Sequence, residues 1–348
     1  MFKSYLFLSA CLLVIACGSP SLPPKAMRLE GPSMGTSYHI QYLDSLGRNF
    51  QGGIDSLLDD LNKHLSTYQD DSYISRFNKD GEMRLVLPKG LSRHFKENLD
   101  ASRVIYDKSG GLFDPTVMPL VKFWGYGKGY QLDSAATDNR LKLKLEGLLK
   151  MVGLNYLKWE VVGDSFELVK LKPGLSLDFN AIAQGYGVDL VGEFLEQRGI
   201  KDYMVEIGGE VFCKGKNAKG AVWKVGINVP KEGVDNQDFA ATIQLKNGGL
   251  ATSGNYRKFK TVNGVKISHT INPKTGMPEI NTLLSVTIVA ASSKWADGYA
   301  TACMVMGYEK AKVFLAANSA IKALFITSDV SSKNGYKLEK INGLEANF

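Results

Sequence analysis

The chain has 348 residues, 22% of them charged, with a formal net charge of +7 and four cysteines. Its positive excess is scattered as single lysines, with no Arg/Lys stripe interleaved with aromatics, which argues against a nucleic-acid surface. No CxxC pair exists for zinc or redox chemistry, the cysteines are too few for a disulfide framework, and no repeat or low-complexity tract appears.

At the N-terminus Lys3 precedes a short apolar run, 5–16, that ends at Cys17. The run falls well short of the roughly 20 residues that cross a bilayer as a helix, so it reads as a secretory signal. Val14-Ile15-Ala16-Cys17 has the form of a lipobox, in which the Cys17 thiol is acylated; a plain signal with an incidental cysteine is the other reading. On the lipobox reading 1–16 are removed, 17–27 form a tether marked by Pro20, Pro23 and Pro24, and 28–348 fold as one large domain or two lobes. An exported, membrane-anchored protein facing the periplasm or cell exterior is therefore expected. Which membrane holds the lipid stays open. Cys213 and Cys303 remain, each in apolar surroundings where a buried thiol is expected.

Alternation of Tyr38, Ile40 and Tyr42 predicts a strand over 36–43. Ile54, Leu57, Leu58, Leu61 and Leu65 recur at helical spacing. A second helix is predicted over 92–108, stopped by Gly110-Gly111, and a third over 141–151. Strand pieces at 157–162, 166–169 and 175–178 lead into a helix over 181–198, where Ile182, Tyr186, Leu190 and Phe194 form an apolar line. Short strands and glycine turns fill 203–269. A β-branched strand at 283–290, a helical stretch to about residue 318 and a closing hairpin complete the chain. Strands and helices mix without a regular βαβ repeat, so the fold class is α+β, mixed sheets with packed helices.

Three constellations could carry chemistry. Asp297 and Thr301 are four apart and share a helix face. A carboxylate and a hydroxyl, with a backbone carbonyl, are hard oxygen ligands of the kind Mg²⁺ takes. Taken alone, the pair also reads as an acid serving the helix dipole and a Thr bonded to its own helix. The stretch 177–186 places Asp178 and Asn180 where a helix opens among small residues, an arrangement that suits phosphate or a heterocycle edge, or plain helix capping. His269, ahead of a Pro/Gly turn, could act as a general base or as a structural donor. His39, His64 and His94 sit in sequence contexts with no polar company to suggest a site. No Walker A loop exists, and Gly125-Tyr126-Gly127 lacks the dinucleotide spacing. Tyr68, Phe113, Trp124 and Tyr126 could stack on a planar heterocycle or simply fill the core.

Taken in order, the sequence marks resemble the ApbE-type FAD:protein FMN transferases. They are Met34-Gly35-Thr36-Ser37-Tyr38, Leu65-Ser66-Thr67-Tyr68 with Ser75-Arg76-Phe77-Asn78, Gly111-Leu112-Phe113-Asp114-Pro115-Thr116-Val117 and the stretch 177–186. They continue through Val205-Glu206-Ile207-Gly208-Gly209, Ala251-Thr252-Ser253-Gly254-Asn255-Tyr256, the stretch 269–276 and the stretch 296–301. The resemblance implies an FAD site between two lobes, contacted by Met34, Tyr68, Leu112, Phe113, Asp114, Asp178, Gln184 and Ile271. It implies Mg²⁺ held by Ala181 and Ala300 through their carbonyls and by Asp297 and Thr301, with His269 assisting proton removal. Gln184 departs from the Lys or Glu of many members, and Asn272 from the usual Asp. The implied reaction moves FMN from FAD to a Thr or Ser hydroxyl of an acceptor protein, releasing AMP. Implied acceptors are subunits of membrane redox complexes of the Na⁺-translocating quinone reductase or Rnf type. An Mg-dependent FAD pyrophosphatase and a non-catalytic flavin-binding lipoprotein are the competing readings.

Overall fold

The computed structural model describes residues 24–127, 138–231, 238–255, 259–262 and 265–348. The signal segment and Cys17 lie outside the described residues. In chain order come β1 (Lys25–Ser33), β2 (Thr36–Asp44), α1 (Gln51–Leu65), α2 (Tyr73–Phe77), β3 (Arg84–Pro88), α3 (Arg93–Lys108), α4 (Met118–Phe123) and α5 (Asp138–Leu149). Next are β4 (Leu157–Val162), β5 (Ser165–Lys170), α6 (Ala183–Glu196), β6 (Tyr203–Ile207), β7 (Glu210–Lys214), β8 (Trp223–Asn228), β9 (Phe239–Leu245) and β10 (Gly248–Gly254). The chain closes with β11 (Phe259–Val262), β12 (Val265–Ser268), β13 (Leu283–Ala290), α7 (Ser293–Ala316), β14 (Lys322–Ser328), β15 (Tyr336–Ile341) and β16 (Ala346–Asn347).

Eight antiparallel strands form the central sheet, in the order β1-β2-β6-β7-β10-β13-β14-β15. The period of two decides what each face meets. On β14, Ala323 and Phe325 enter the main core under α1, α3, α6 and α7. Leu324 and Ile326 point the other way, into a second core closed by β8, β9 and β16. Cys213 on β7 is buried in that second core and Cys303 on α7 in the main one, both as free thiols. A third, small core joins α4 and α5 through Leu120, Trp124 and Leu145, and Ile271 belongs to it.

The α+β organisation read from the sequence is the observed one, with local differences: α2, β3 and α4 were not read from it. Residues 175–178 form no strand; a lone parallel bridge pairs Ser176 with Val117, because Asn78 occupies the backbone of Leu177 on both sides. Strand β1 begins at Lys25 and pairs with β2 along its whole length. Its outward Lys25, Arg28 and Glu30 make it a charged edge strand, a pattern that hid it beside the prolines. Helix α7 is broken at Gly307, where φ is 72°.

Candidate functional site

The centre of the site is the contact between α6 and α7. Asp189 on α6 accepts the N–H groups of Ser293 at 2.8 Å and Lys294 at 2.9 Å. It thereby satisfies donors that the first turn of a helix cannot pair internally. Asp297 follows one turn later, with its side chain buried and its Oδ2 accepting the Gly185 N–H at 3.1 Å. A Cβ at Gly185 would lie 2.4 Å from the Ser293 carbonyl oxygen and 2.9 Å from the Asp297 Cβ. Glycine is what lets the two helices touch here.

Burial pushes the Asp297 carboxyl up to about 7, and the charge of Asp189 pushes the same way. Asp189 itself is raised to about 6 by burial, against the N–H groups that favour its charged form. Thr301, a turn beyond Asp297, brings its Oγ1 to 3.4 Å from Ser253 Oγ on β10. Ala300 is fully buried between them in sequence, and Ala181 lies half-buried in the turn that opens α6. A Cβ at Gly298 would stand 3.6 Å from Ile182 Cδ1, so the opening of α6 faces the first turns of α7. Among the described residues no basic side chain bonds Asp297, and its donor set is oxygen throughout. Those residues fit a hard divalent cation such as Mg²⁺.

The surface next to this centre is built by glycines. Met34 turns the β1–β2 hairpin at a positive φ of 52°, and a Cβ at Gly187 would come within 3.0 Å of its Sδ. Gly208, with φ of 65°, passes beneath Gln184: a Cβ there would sit 2.7 Å from Gln184 Nε2 and 2.8 Å from Thr36 Cγ2. Met34, Thr36, Gln184 and Gly208 are thus brought together from three separate blocks.

The loop 111–117 lies alongside. Pro115 O accepts the Asp178 N–H at 2.7 Å, and Asp178 Oδ1 accepts the Asn180 N–H at 2.8 Å. Burial raises the Asp178 carboxyl, partly opposed by the hydrogen bonds from Asn180 and, to a lesser degree, by the charge of Lys122. Tyr68 is raised by burial and by the charge of Asp178, which places it in the same neighbourhood. Leu112 is half-buried, whereas Phe113 belongs to the main core. Trp124 is also core, its Nε1–H donating to the Gly276 carbonyl at 2.7 Å. Of the four aromatics, Tyr68 is the exposed one and Tyr126 is half-buried. The Asp114 carboxylate is committed within the protein: Oδ1 accepts the Thr116 N–H at 2.8 Å and its hydroxyl at 2.6 Å, and Oδ2 accepts the Leu154 N–H at 3.2 Å.

Strand β10 connects the acidic centre to His269. Ser253 meets Thr301, and two residues on Asn255 Oδ1 accepts the Thr270 hydroxyl at 2.8 Å. His269 is half-buried, and the Tyr126 ring lies edge-on at 6.2 Å. Ile271 packs into the small core and bridges to Pro278, which anchors the turn behind the histidine. Asn272 receives no ring or carboxylate from this centre; its side-chain amide donates to Glu279 at 2.6 Å, and its Oδ1 accepts the Lys274 N–H.

Sequence reasoning missed Asp189 and Lys122, and gave no role to Ser253 and Asn78, which stand among the family marks. Asp189 stands four residues after Gly185 on the same face of α6, but the N–H groups it accepts lie on α7, over a hundred residues away. The view that His39, His64 and His94 lack polar company is overturned. His39 Nδ1 is 2.6 Å from Glu206, and His94 bridges Asp60 and Tyr186 at 3.0 Å each. His64 stands beside both His94 and Asp60. The partners of His39 and His94 come from other elements, which local sequence does not show; only the i,i+4 spacing of Asp60 and His64 on α1 is a local sign.

A buried carboxylate and a half-buried hydroxyl in the first two turns of a helix, beside glycine-relieved backbone and a histidine, form an oxygen-rich centre suited to phosphate chemistry assisted by a divalent cation. The ApbE family model matches residues 34–325, and the chain belongs to that family. An FAD:protein FMN transferase of Vibrio cholerae serotype O1 is 36% identical over 326 residues, covering 92% of this chain and 93% of the relative. One of Haemophilus influenzae is 35% identical, covering 88% of each. The solved flavin transferase ApbE of Vibrio cholerae superposes with a TM-score of 0.77 at 35% identity, covering 92% of this chain and 98% of that one. The apo flavinyl transferase ApbE of Pseudomonas stutzeri also gives 0.77, at 30% identity, covering 92% and 96%.

Proposed function

We propose that this chain is an FAD:protein FMN transferase that forms a phosphoester between FMN and a Thr or Ser hydroxyl of an acceptor protein. Near-full-length similarity to curated transferases carries the activity. Asp297, buried with one hydrogen bond and beside Asp189, carries the assignment of its centre.

In this reading the acceptor oxygen attacks the FMN phosphorus, the bond from that phosphorus to the bridging oxygen breaks, and AMP leaves with the oxygen. His269 takes the hydroxyl proton, a contribution of roughly 10²–10⁴-fold for a well-placed base. Met34, Gln184 and the Gly208 backbone line one side of the FAD site, with Tyr68 and Asp178 on another, and Phe113, Asp114 and Ile271 hold those walls from behind. Asp297, Thr301 and the carbonyls of Ala181 and Ala300 would hold Mg²⁺. Bound there, the ion supplies neutralisation of charge on the phosphate oxygens, where most stabilisation of phosphoryl transfer arises. Asp189 orients the helix start that presents Asp297.

The lipobox at Cys17 supports an exported, membrane-anchored enzyme, with acceptors among subunits of membrane redox complexes of the Na⁺-translocating quinone reductase or Rnf type. Incubating the full chain in detergent with FAD, Mg²⁺ and such an acceptor domain tests the reading. A fluorescent acceptor band on a denaturing gel with matching AMP, both lost in Asp297→Ala, is expected. AMP without a labelled acceptor would make hydrolysis the better account.

A further inference from the structure

A group of side chains of metal-ligating types lies apart from the Asp297 centre, where α1 and α3 pack together. Asp60 and His64 are four residues apart on α1 and share a face; His94 reaches them from α3. One ligand atom from each falls within 4.8 Å of the others. Both imidazoles are buried, at 2% and 7% exposure, whereas the Asp60 side chain is 53% exposed and opens the group to solvent.

The hydrogen bonds fix which nitrogens are available. His64 Nδ1 lies 2.8 Å from the Asp60 carbonyl oxygen, which only accepts, so Nδ1 carries the hydrogen. The neutral ring then holds its lone pair on Nε2, and that buried atom has no hydrogen-bond partner among the described residues. A buried lone pair left empty is unfavourable unless something fills it. His94 Nε2 is 3.0 Å from Asp60 Oδ2, which accepts, so without an ion Nε2 carries the hydrogen; an ion between the two would take its place and shift the hydrogen to Nδ1, 3.0 Å from the Tyr186 hydroxyl. A ligating histidine ordinarily has such a partner on its far nitrogen, fixing its tautomer and orientation.

We propose that Asp60, His64 and His94 bind a divalent transition ion of the zinc class, with water completing the coordination. Two imidazoles and one carboxylate are borderline donors that suit zinc and its neighbours, in contrast to the all-oxygen centre at Asp297. The ion ties α1 to α3. Through Tyr186 it also braces α6, the helix whose Gly185 bonds Asp297.

The test uses the full chain in detergent, free of affinity tags and stripped of metal, titrated with Zn²⁺ against a colorimetric chelator and with Co²⁺ followed by visible absorption. With four histidines in the whole sequence the background is low. One tight equivalent of Zn²⁺ is expected, with Co²⁺ showing the visible bands of a low-coordinate nitrogen–oxygen site. Asp60→Asn and His94→Gln should each weaken binding, Tyr186→Phe should weaken it about tenfold through the tautomer, and Asp297→Ala should leave it unchanged. Asp60→Asn alters a half-exposed side chain, so circular dichroism should confirm its fold; Zn²⁺ should raise the melting temperature of the wild type and not of this variant. No bound equivalent, or binding that survives both Asp60→Asn and His94→Gln, would overturn the site and leave a hydrogen-bonded cluster that joins two helices.

Discussion

Asp114 and Asp297 are both buried aspartates at 8% and 5% exposure, and burial raises both carboxyls. Their surroundings differ in what is left over. Asp114 accepts two backbone N–H groups and a hydroxyl on its two oxygens, and it feels the charge of Arg103. Asp297 accepts the N–H of Gly185 and faces a second carboxylate, Asp189. A buried acid whose oxygens are filled by its own loop is a staple. One with a single hydrogen bond, beside a like charge, has the surroundings that the proposed cation site calls for. The family resemblance assigns both residues to ligand contacts; the hydrogen bonds separate their roles.

The contrast can be broken at several points. Asp297→Ala should lower FMN transfer by roughly 10³-fold, the scale of losing several kcal/mol of transition-state charge stabilisation, read as AMP release at saturating FAD. His269→Ala should reduce the rate by about 10²-fold or more with FAD affinity unchanged; full rate in this variant would remove the proton role. Asp114→Ala should behave in the opposite way. With three donors left without an acceptor, it should cost about 2–4 kcal/mol in denaturant unfolding, while folded protein retains Mg²⁺ binding.

The pH response sharpens the same comparison. Asp189 and Asp297 are raised in the folded state to about 6 and about 7, so the fold holds protons that the unfolded chain releases. Their contribution to stability is full below about pH 4 and is lost as pH rises through about 6 to 7. The pair should therefore make metal-free protein melt lower at pH 8 than at pH 5.5, in scanning calorimetry. Saturating Mg²⁺ should narrow that gap at pH 8, and Asp297→Asn should remove most of it. The smallest effect is expected at His39, whose pairing with Glu206 is half-exposed. His39→Ala should shift unfolding by less than about 1 kcal/mol and leave transfer unchanged.

Helices and central strands were legible because their periodicity is local: Ile54, Leu58, Leu61 and Leu65 mark α1, and Tyr38, Ile40 and Tyr42 mark β2. Asp297 and Thr301 were legible as a pair at helical spacing. Asp189 and Ser253 were not, because their proximity to that pair arises from close packing that Gly185 and Gly249 permit, with a Cβ at Gly249 only 2.1 Å from Ser293 N. The apparent strand at 175–178 is apolar in alternation, yet Asn78, 99 residues before Leu177, takes both backbone groups of Leu177. The histidine group at Asp60 was half-visible in the spacing of Asp60 and His64; its third member comes from α3. Long-range hydrogen bonds and glycine-licensed contacts are the physical information that a one-dimensional pattern does not carry.

The most direct measurement is calorimetric titration of Mg²⁺ into FAD-bound protein for wild type, Asp297→Asn and Asp114→Asn, each checked for folding. Binding that is lost in Asp297→Asn and kept in Asp114→Asn is the predicted result. Binding kept in Asp297→Asn, or lost in folded Asp114→Asn alone, would contradict the division of the two aspartates into centre and staple.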